Sequence, residues 1–412
     1  MKRFSILSVL MCVLLGGCGV SVPEAQHHVD ETPSIYPDYV GVTIPSNVAP
    51  LRFMVADDIE DAVAVLLAGQ CELVEKADEG KFLFSEKDWC RLVEAAKGDS
   101  ISVNVYEKKS GEWFAYRSFC IYVAEEPMDA YLAYRLIPPG YEQWHQMGLY
   151  QRDLTTFDEE VIVDNRQTDY NCINCHSFRM HGSDNMLFHM RATHGGTYVW
   201  TGGKLEKIDG KVSEGIQSLV YPYWHPSGKY IAYSVNDTKQ LFHTNHLNRI
   251  EVMDLASDVV VYDVEKNEIV TAPQLFGKEV FETFPSFSPD GKTLYFCAAR
   301  QQKMPDDTDK LKYHLCSISF DAETRSFGDK VDTLYHAEQM DKSVSFPRIS
   351  PDGKHLMFTL ADYATFPIWH QEADLWMLDL EDGKLNCLNT LNSNSVESYH
   401  SWSSNSRWVV FS

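Results

Sequence analysis

Basic side chains are scarce in this chain: 36 lysines and arginines stand against 59 aspartates and glutamates, for a formal charge of −23. A surface of that sign repels phosphate backbones and anionic headgroups, so nucleic acid is excluded as a partner and a cationic or neutral one is favoured. Long apolar runs are missing as well. The most sustained one, Ile6 to Leu15, is too short to span a bilayer. No Gly-x-Ser-x-Gly elbow occurs, which removes the α/β-hydrolase arrangement, and no nucleophile or acid–base constellation stands out. The chain therefore reads as an electron carrier or binding protein rather than an enzyme in its own right. Disorder is not indicated, because 44% hydrophobic and 12% aromatic residues describe an ordinary folded protein, and 412 residues suggest two or three domains.

Against these absences stands one chemically specific stretch, Cys172-Ile173-Asn174-Cys175-His176. Cys-x-x-Cys-His is the spacing that lets two thiols bond to haem vinyl groups while the next histidine stands under the iron as axial ligand. A zinc site needs a second Cys or His pair at similar spacing, and none follows. A thioredoxin-like pair belongs between a strand and a helix, a context absent here, and a local Cys172–Cys175 disulfide stays open as the alternative. The expectation is one covalent haem c on Cys172, Cys175 and His176, within an attachment segment spanning 165–197. For the sixth ligand, Met186 to Met190 reads as a strand with Met186 and Met190 on one face and His189 on the other. His189 is the expected metal ligand and Met190 the alternative, with Met180, His181 and His194 as outsiders.

The N-terminus has the form of an export signal. Met1-Lys2-Arg3 is a short positive region, the apolar run follows, and Leu15-Gly16-Gly17-Cys18 closes it. That ending resembles the lipobox of bacterial lipoproteins, which implies a signal peptide over 1–17, a lipid on the Cys18 thiol, and a polar tether over 18–35. The implied location is the bacterial cell envelope, lipid-anchored, on the periplasmic side or the cell surface. Export suits the haem motif, since the resemblance to c-type cytochromes implies attachment outside the cytoplasmic membrane. Of the ten cysteines, Cys12 falls in the signal, and six more (Cys71, Cys90, Cys120, Cys297, Cys316, Cys387) divide three to each side of the haem motif. Their connectivity cannot be read from sequence. Cys297, in an apolar strand-like run, is expected free and buried.

Internal repetition organises the second half. Tyr221-Pro222-Tyr223-Trp224-His225-Pro226-Ser227-Gly228-Lys229 is echoed from Phe284 to Lys292 and again from Phe346 to Lys354, with a degenerate copy from Tyr399 to Arg407. In each, Pro fixes φ, Gly accepts φ > 0, and alternating apolar residues follow. The Ser-Pro-Asp-Gly-Lys turns resemble the TolB-like propeller family, which implies a C-terminal β-propeller over 198–412, four repeats visible and the last blade incomplete at Ser412, a truncated copy being favoured over closure by an N-terminal strand. The stretch 36–164 reads as a small β-rich domain with one helix, Ser85 to Ala96, capped by Ser85 and ended by Gly98. The fold expectation is thus mainly β. Together these features predict an exported, membrane-anchored haem lipoprotein for electron transfer or redox/ligand sensing, whose propeller docks a redox partner or an envelope complex and whose Cys18 lipid meets the membrane. The alternative is a haem-free propeller module that binds a protein or glycan.

Overall fold

The computed structural model describes residues 20–55, 59–137, 146–208, 219–245, 248 and 250–412. The expected signal peptide and Cys18 lie outside the described residues. No described helix is long and apolar enough to cross a membrane. The chain is mainly β and divides into two compact units, 1–127 with 154–157 and 128–153 with 158–412.

The first unit is built on a mixed sheet whose long central strand, Ser100–Lys109, alternates buried and half-buried residues as one covered face requires. Asp61–Ala68 and Glu112–Tyr116 flank that strand, and Phe119–Val123 pairs with its first half. The α-helix Glu86–Ala95 begins where expected: the Ser85 hydroxyl accepts from the Asp88 N–H at 3.2 Å, and Trp89, Leu92 and Val93 form its buried stripe. The Trp89 indole N–H donates to the Val48 carbonyl at 2.9 Å, which pins the helix to the core. Part of the expected tether is not free. His27–Val29 adds a parallel edge strand to Glu112–Tyr116, and His27 stacks on Phe114 at 4.6 Å while bonding Glu112 at 2.6 Å.

The second unit is a β-propeller of antiparallel blades. Four consecutive blades start with the strands Ile173–Arg179, Val220–Trp224, Val280–Phe287 and Ser343–Ile349, and each continues outward as a meander. The first strand of every blade packs on the first strand of the next. Ser401–Trp402 and Val409–Val410 make a two-stranded sheet after them, and Tyr131–Leu136, Gly148–Asp153 and Glu159–Asp164 make a three-stranded sheet before them. Asp129 joins these two ends, its carboxylate accepting from the Ser404 N–H at 2.7 Å and hydroxyl at 2.5 Å.

Two expected boundaries shift. The three-stranded sheet over 131–164 groups with the propeller unit, so the first domain ends near 127 rather than 164. The expected attachment segment, 165–197, is not a linker between domains: Ile173–Arg179, Gly182–Met190 and Gly196–Thr201 are the inner three strands of a blade that begins well before residue 198 and runs past it to Lys204–Ile208. The reason is that its strands can bury their apolar residues only against the neighbouring sheets, as Leu187 and Val199 do against Trp224 and Tyr233.

The repeated turns explain their own sequence. In the Ser288 turn, the Asp290 carboxylate accepts from the Ser288 hydroxyl at 2.6 Å and the Lys292 N–H at 3.0 Å, and Gly291 takes φ +74°. Ser350, Asp352 and Gly353 repeat this arrangement. The degenerate copy keeps the turn with Asn405 in place of Asp and with Ser406 at φ +61° in place of Gly.

Candidate functional site

The innermost strands share a feature beyond their turns. Cys175, Tyr221, Phe284, Phe346 and Tyr399 all adopt left-handed backbone, with φ between 47° and 51°. In four of these strands the ladder register jumps at that point, between Asn174 and Ser177, Val220 and Tyr223, Thr283 and Ser286, and Ser345 and Arg348. Such a bulge inserts one residue and re-aims its side chain, here toward the propeller axis. The rings follow one another in contact: Tyr221 to Phe284 at 4.6 Å, Phe284 to Phe346 at 4.4 Å, Phe346 to Tyr399 at 4.4 Å. Cys175 holds the equivalent position in the first blade. The second half of Cys-x-x-Cys-His is therefore a fifth copy of the propeller repeat, with Cys175-His176-Ser177-Phe178 standing where Phe284-Pro285-Ser286-Phe287 stands two blades on.

Cys175 is half-buried. Desolvation, the largest influence, raises its pKa and keeps it protonated, with the Tyr221 backbone acting the other way. Both Tyr221 and Tyr399 lie close enough to interact electrostatically with it. All eight described cysteines are free thiols, Cys172 and Cys175 included, and Cys297 is fully buried as expected.

His176 follows at the position that proline takes in three blades and His400 in the last sheet. Burial lowers its pKa, so the imidazole is neutral, with the Ala133 backbone of the preceding sheet acting against that shift. His400, at the same position, is bonded through Nε2 to the Met357 carbonyl at 2.9 Å.

The proposed sixth ligands separate. His189 lies opposite Asn174 and Thr197, its Nδ1 is 3.2 Å from the Thr197 hydroxyl, and burial with the Arg191 charge brings its pKa down to about 4. It shares a blade face with Leu187, which packs toward the following blade. Met190 takes the other face, in an apolar cluster with Leu149, Ile173, Met186 and Phe188. Phe178, two residues after His176, joins that cluster, so Met190 rather than His189 shares a side of the blade with His176. Met180 and His181 form the hairpin turn at φ 47° and 61°, and His194 is bonded to Asp169 at 2.9 Å.

Arginines at the axis are the part that residue spacing does not reveal. Arg135 Nη2 donates to Met147 Sδ at 3.5 Å and Cys172 Sγ at 3.8 Å, and its buried Nε has no hydrogen-bond partner among the described residues. Arg348 Nη1 donates to the Pro347 carbonyl at 3.0 Å, and its guanidinium lies 5.5 Å from the Tyr223 ring. Burial lowers its pKa. Arg191 is exposed, its backbone N–H bonded to the Cys172 carbonyl at 3.0 Å.

The donor set fits a c-type haem in its chemistry: two unbridged thiols, and a neutral imidazole one residue after the second. The buried, unpartnered Nε of Arg135 adds a cation beside Cys172, suited to a propionate. A different group, His314, His336 and Glu338, brings potential metal-ligand atoms within 4.8 Å of one another, but His314 Nδ1 already accepts from the Ala337 N–H at 2.9 Å.

No family model and no curated protein matches this chain. Among solved structures it is similar to a prolyl endopeptidase, at 12% identity and TM-score 0.36 over 63% of this chain and 33% of that one. It is also similar to a DUF4784 family protein from Bacteroides caccae, at 7% identity and TM-score 0.35 over 88% and 97% of the two chains. An oligogalacturonate lyase in complex with manganese gives 12% identity and TM-score 0.31 over 85% and 99%. The chain spans a third of the prolyl endopeptidase and 57% of a Bacteroides ovatus putative dipeptidyl aminopeptidase IV.

Proposed function

We propose that this chain is an exported, lipid-anchored c-type haem protein on a TolB-like propeller scaffold, serving one-electron transfer or redox/ligand sensing. Haem would be held by thioether bonds to Cys172 and Cys175 and by His176 to the iron, and it would supply the one-electron chemistry. Cys18 would carry the lipid, placing the protein in the cell envelope, and the propeller loops would dock a redox partner or envelope complex. The observation that carries this reading is the neutral His176, its pKa lowered by burial, directly after the free thiol of Cys175 and four residues after that of Cys172. Between the two sixth-ligand candidates, Met190 is favoured over His189 because it shares a blade face with His176.

The test is the pyridine haemochrome spectrum of protein exported in a host competent for c-type maturation, after extraction of non-covalent haem. One covalent haem per chain is expected; no haem on a well-folded, exported chain rejects the reading. Met190→Ala should then alter the spin state and His189→Ala should not.

A second reading has its own support. Because Cys175 and His176 occupy a position that every blade fills, the propeller alone accounts for them structurally. In that case the chain is a haem-free binding module for a protein or glycan, with Cys172 and Cys175 able to bridge after export.

A further inference from the structure

We propose that His314, His336 and Glu338 bind one divalent transition-metal ion of the zinc type, clasping the outer edge of the blade that begins with Val280–Phe287. That blade's third strand, His314–Asp321, pairs with the outer strand Asp332–Tyr335, and Leu315 stands opposite Tyr335. His314 and His336 lie next to that pair at the same end, their rings edge to face at 5.8 Å. The short turn Ala337–Gln339 follows, with Tyr335 and Ala337 buried and His336 and Glu338 exposed, and it returns Glu338 to His314. One donor atom from each of the three residues lies within 4.8 Å of the other two.

The proton positions point to a metal. The Ala337 N–H donates to His314 Nδ1 at 2.9 Å, so that nitrogen carries a lone pair and no proton. Glu338 Oε2 stands 3.5 Å from the same nitrogen. Two lone-pair atoms thus face each other with no proton between them, an arrangement that a cation relieves. By contrast, His194 and Asp169 meet at 2.9 Å and His243 and Glu251 at 2.7 Å, distances at which a proton is shared. A gap of 3.5 Å instead matches two ligands of one tetrahedral ion, each about 2.0–2.2 Å from its centre. The ion takes the Nδ1 lone pair in place of the Ala337 N–H, and that single neutral hydrogen bond is worth far less than the metal bonds that replace it.

Two imidazoles and one carboxylate suit Zn2+, Co2+ or Ni2+, whereas Ca2+ and Mg2+ take oxygen ligands. The fourth tetrahedral position stays open to water, and the exposed His336 and Glu338 give the ion a path in from solvent. The site rests on no haem reading, since none of its residues belongs to the Cys172–His176 stretch. Its test uses Co2+ as a coloured stand-in for Zn2+. Full-length protein produced without haem attachment is freed of metal with EDTA and titrated under a phosphine reductant, because the eight described thiols also bind metal. A nitrogen–oxygen site gives visible d–d bands without the near-ultraviolet charge-transfer band that thiolate ligands add.

One such Co2+ per chain is expected, with a dissociation constant below about 100 µM, displaced by Zn2+ and not by Ca2+ in about 100-fold excess. His314→Ala and His336→Ala should each weaken binding by about 100-fold or more, and Glu338→Gln by about 10-fold or more. Glu323→Gln, at an exposed carboxylate just after the same strand, should leave it unchanged. Bands that survive His336→Ala combined with Glu338→Gln, cobalt held only with thiolate charge transfer, or a dissociation constant above about 100 µM overturns the proposal. Should His314→Ala fail to fold, the two exposed positions carry the comparison. The haemochrome measurement reads the haem proposal independently, so either can fail alone.

Discussion

At Phe346 and at Cys175 the innermost strand makes the same left-handed bulge, φ 51° at both, yet one blade sends a phenyl ring to the axis and the other a thiol. Phe346 is 2% exposed and lies between Phe284 and Tyr399, so its blade uses the position for packing. At Cys175 the axial side chain is a free thiol, next to the neutral His176 imidazole, and the Arg135 guanidinium reaches the neighbouring Cys172 sulfur. The backbone is common to both, so the fold supplies the direction and the side chain supplies the chemistry. A propeller can thus carry a reactive group at one blade without disturbing the ladder of the others.

The comparison can be broken most strongly at the packing blade. Phe346→Ala should cost about 3–5 kcal/mol of unfolding free energy, read by denaturant titration, because two stacked rings lose their partner. A loss similar to that of Cys175→Ala, expected to be below about 1.5 kcal/mol, would mean that the two positions are not used differently.

Next in size is a pH effect two residues before the bulge, where the first and fourth blades bury Ile173 and Val344 and the third buries Glu282. Burial, reinforced by Asp258, pushes the Glu282 pKa up to about 8, and its Oε2 has no hydrogen-bond partner. A carboxyl raised in the folded state favours the protonated fold. Its contribution is therefore complete below about pH 4.5 and disappears as pH rises through 8, at up to about 1.4 kcal/mol per pH unit across that window. Glu282→Gln should flatten this part of the stability–pH profile; an unchanged slope would assign it elsewhere.

The repeated turns give a finer contrast. A Cβ on Gly291 would meet the His225 ring at 2.3 Å, whereas one on Gly353 meets nothing within 4 Å, though both glycines have φ near +75°. Gly353→Ala should cost about 1–2 kcal/mol for left-handed alanine alone, and Gly291→Ala about 1–3 kcal/mol more for the clash. Equal midpoints in thermal melts would show that His225 yields freely. Smallest is Ser406→Gly: glycine relieves the φ of +61° but removes the hydroxyl that accepts from the Asp352 N–H at 3.0 Å, so the two effects offset and the melting midpoint should change by less than about 0.5 kcal/mol in equivalent stability.

Much of the propeller was legible because each blade writes its turn chemistry locally. Ser288, Asp290 and Gly291 form a self-contained hydrogen-bonded turn, and such a turn reads the same in any context. The first blade escaped for an equally local reason: it replaces that turn with the two-residue hairpin Met180–His181, and its bulge carries Cys-His instead of aromatic-Pro. The helix at Glu86–Ala95 was legible through its cap and apolar stripe. The three-stranded sheet over 131–164 carries no turn signature, and only its packing assigns it to the propeller unit.

By itself, the amino-acid order determined the alternation of strands, the repeating turns, the acidic surface and the presence of two thiols with a histidine at haem-binding spacing, all properties of neighbours along the chain. Tertiary structure alone decided that Cys175 is a bulge residue on an innermost propeller strand, that Met190 rather than His189 shares the face of His176, and that the sheet over 131–164 belongs to the propeller unit. The physical reason is that burial, desolvation and charge pairing depend on which segments the sheets bring together in space.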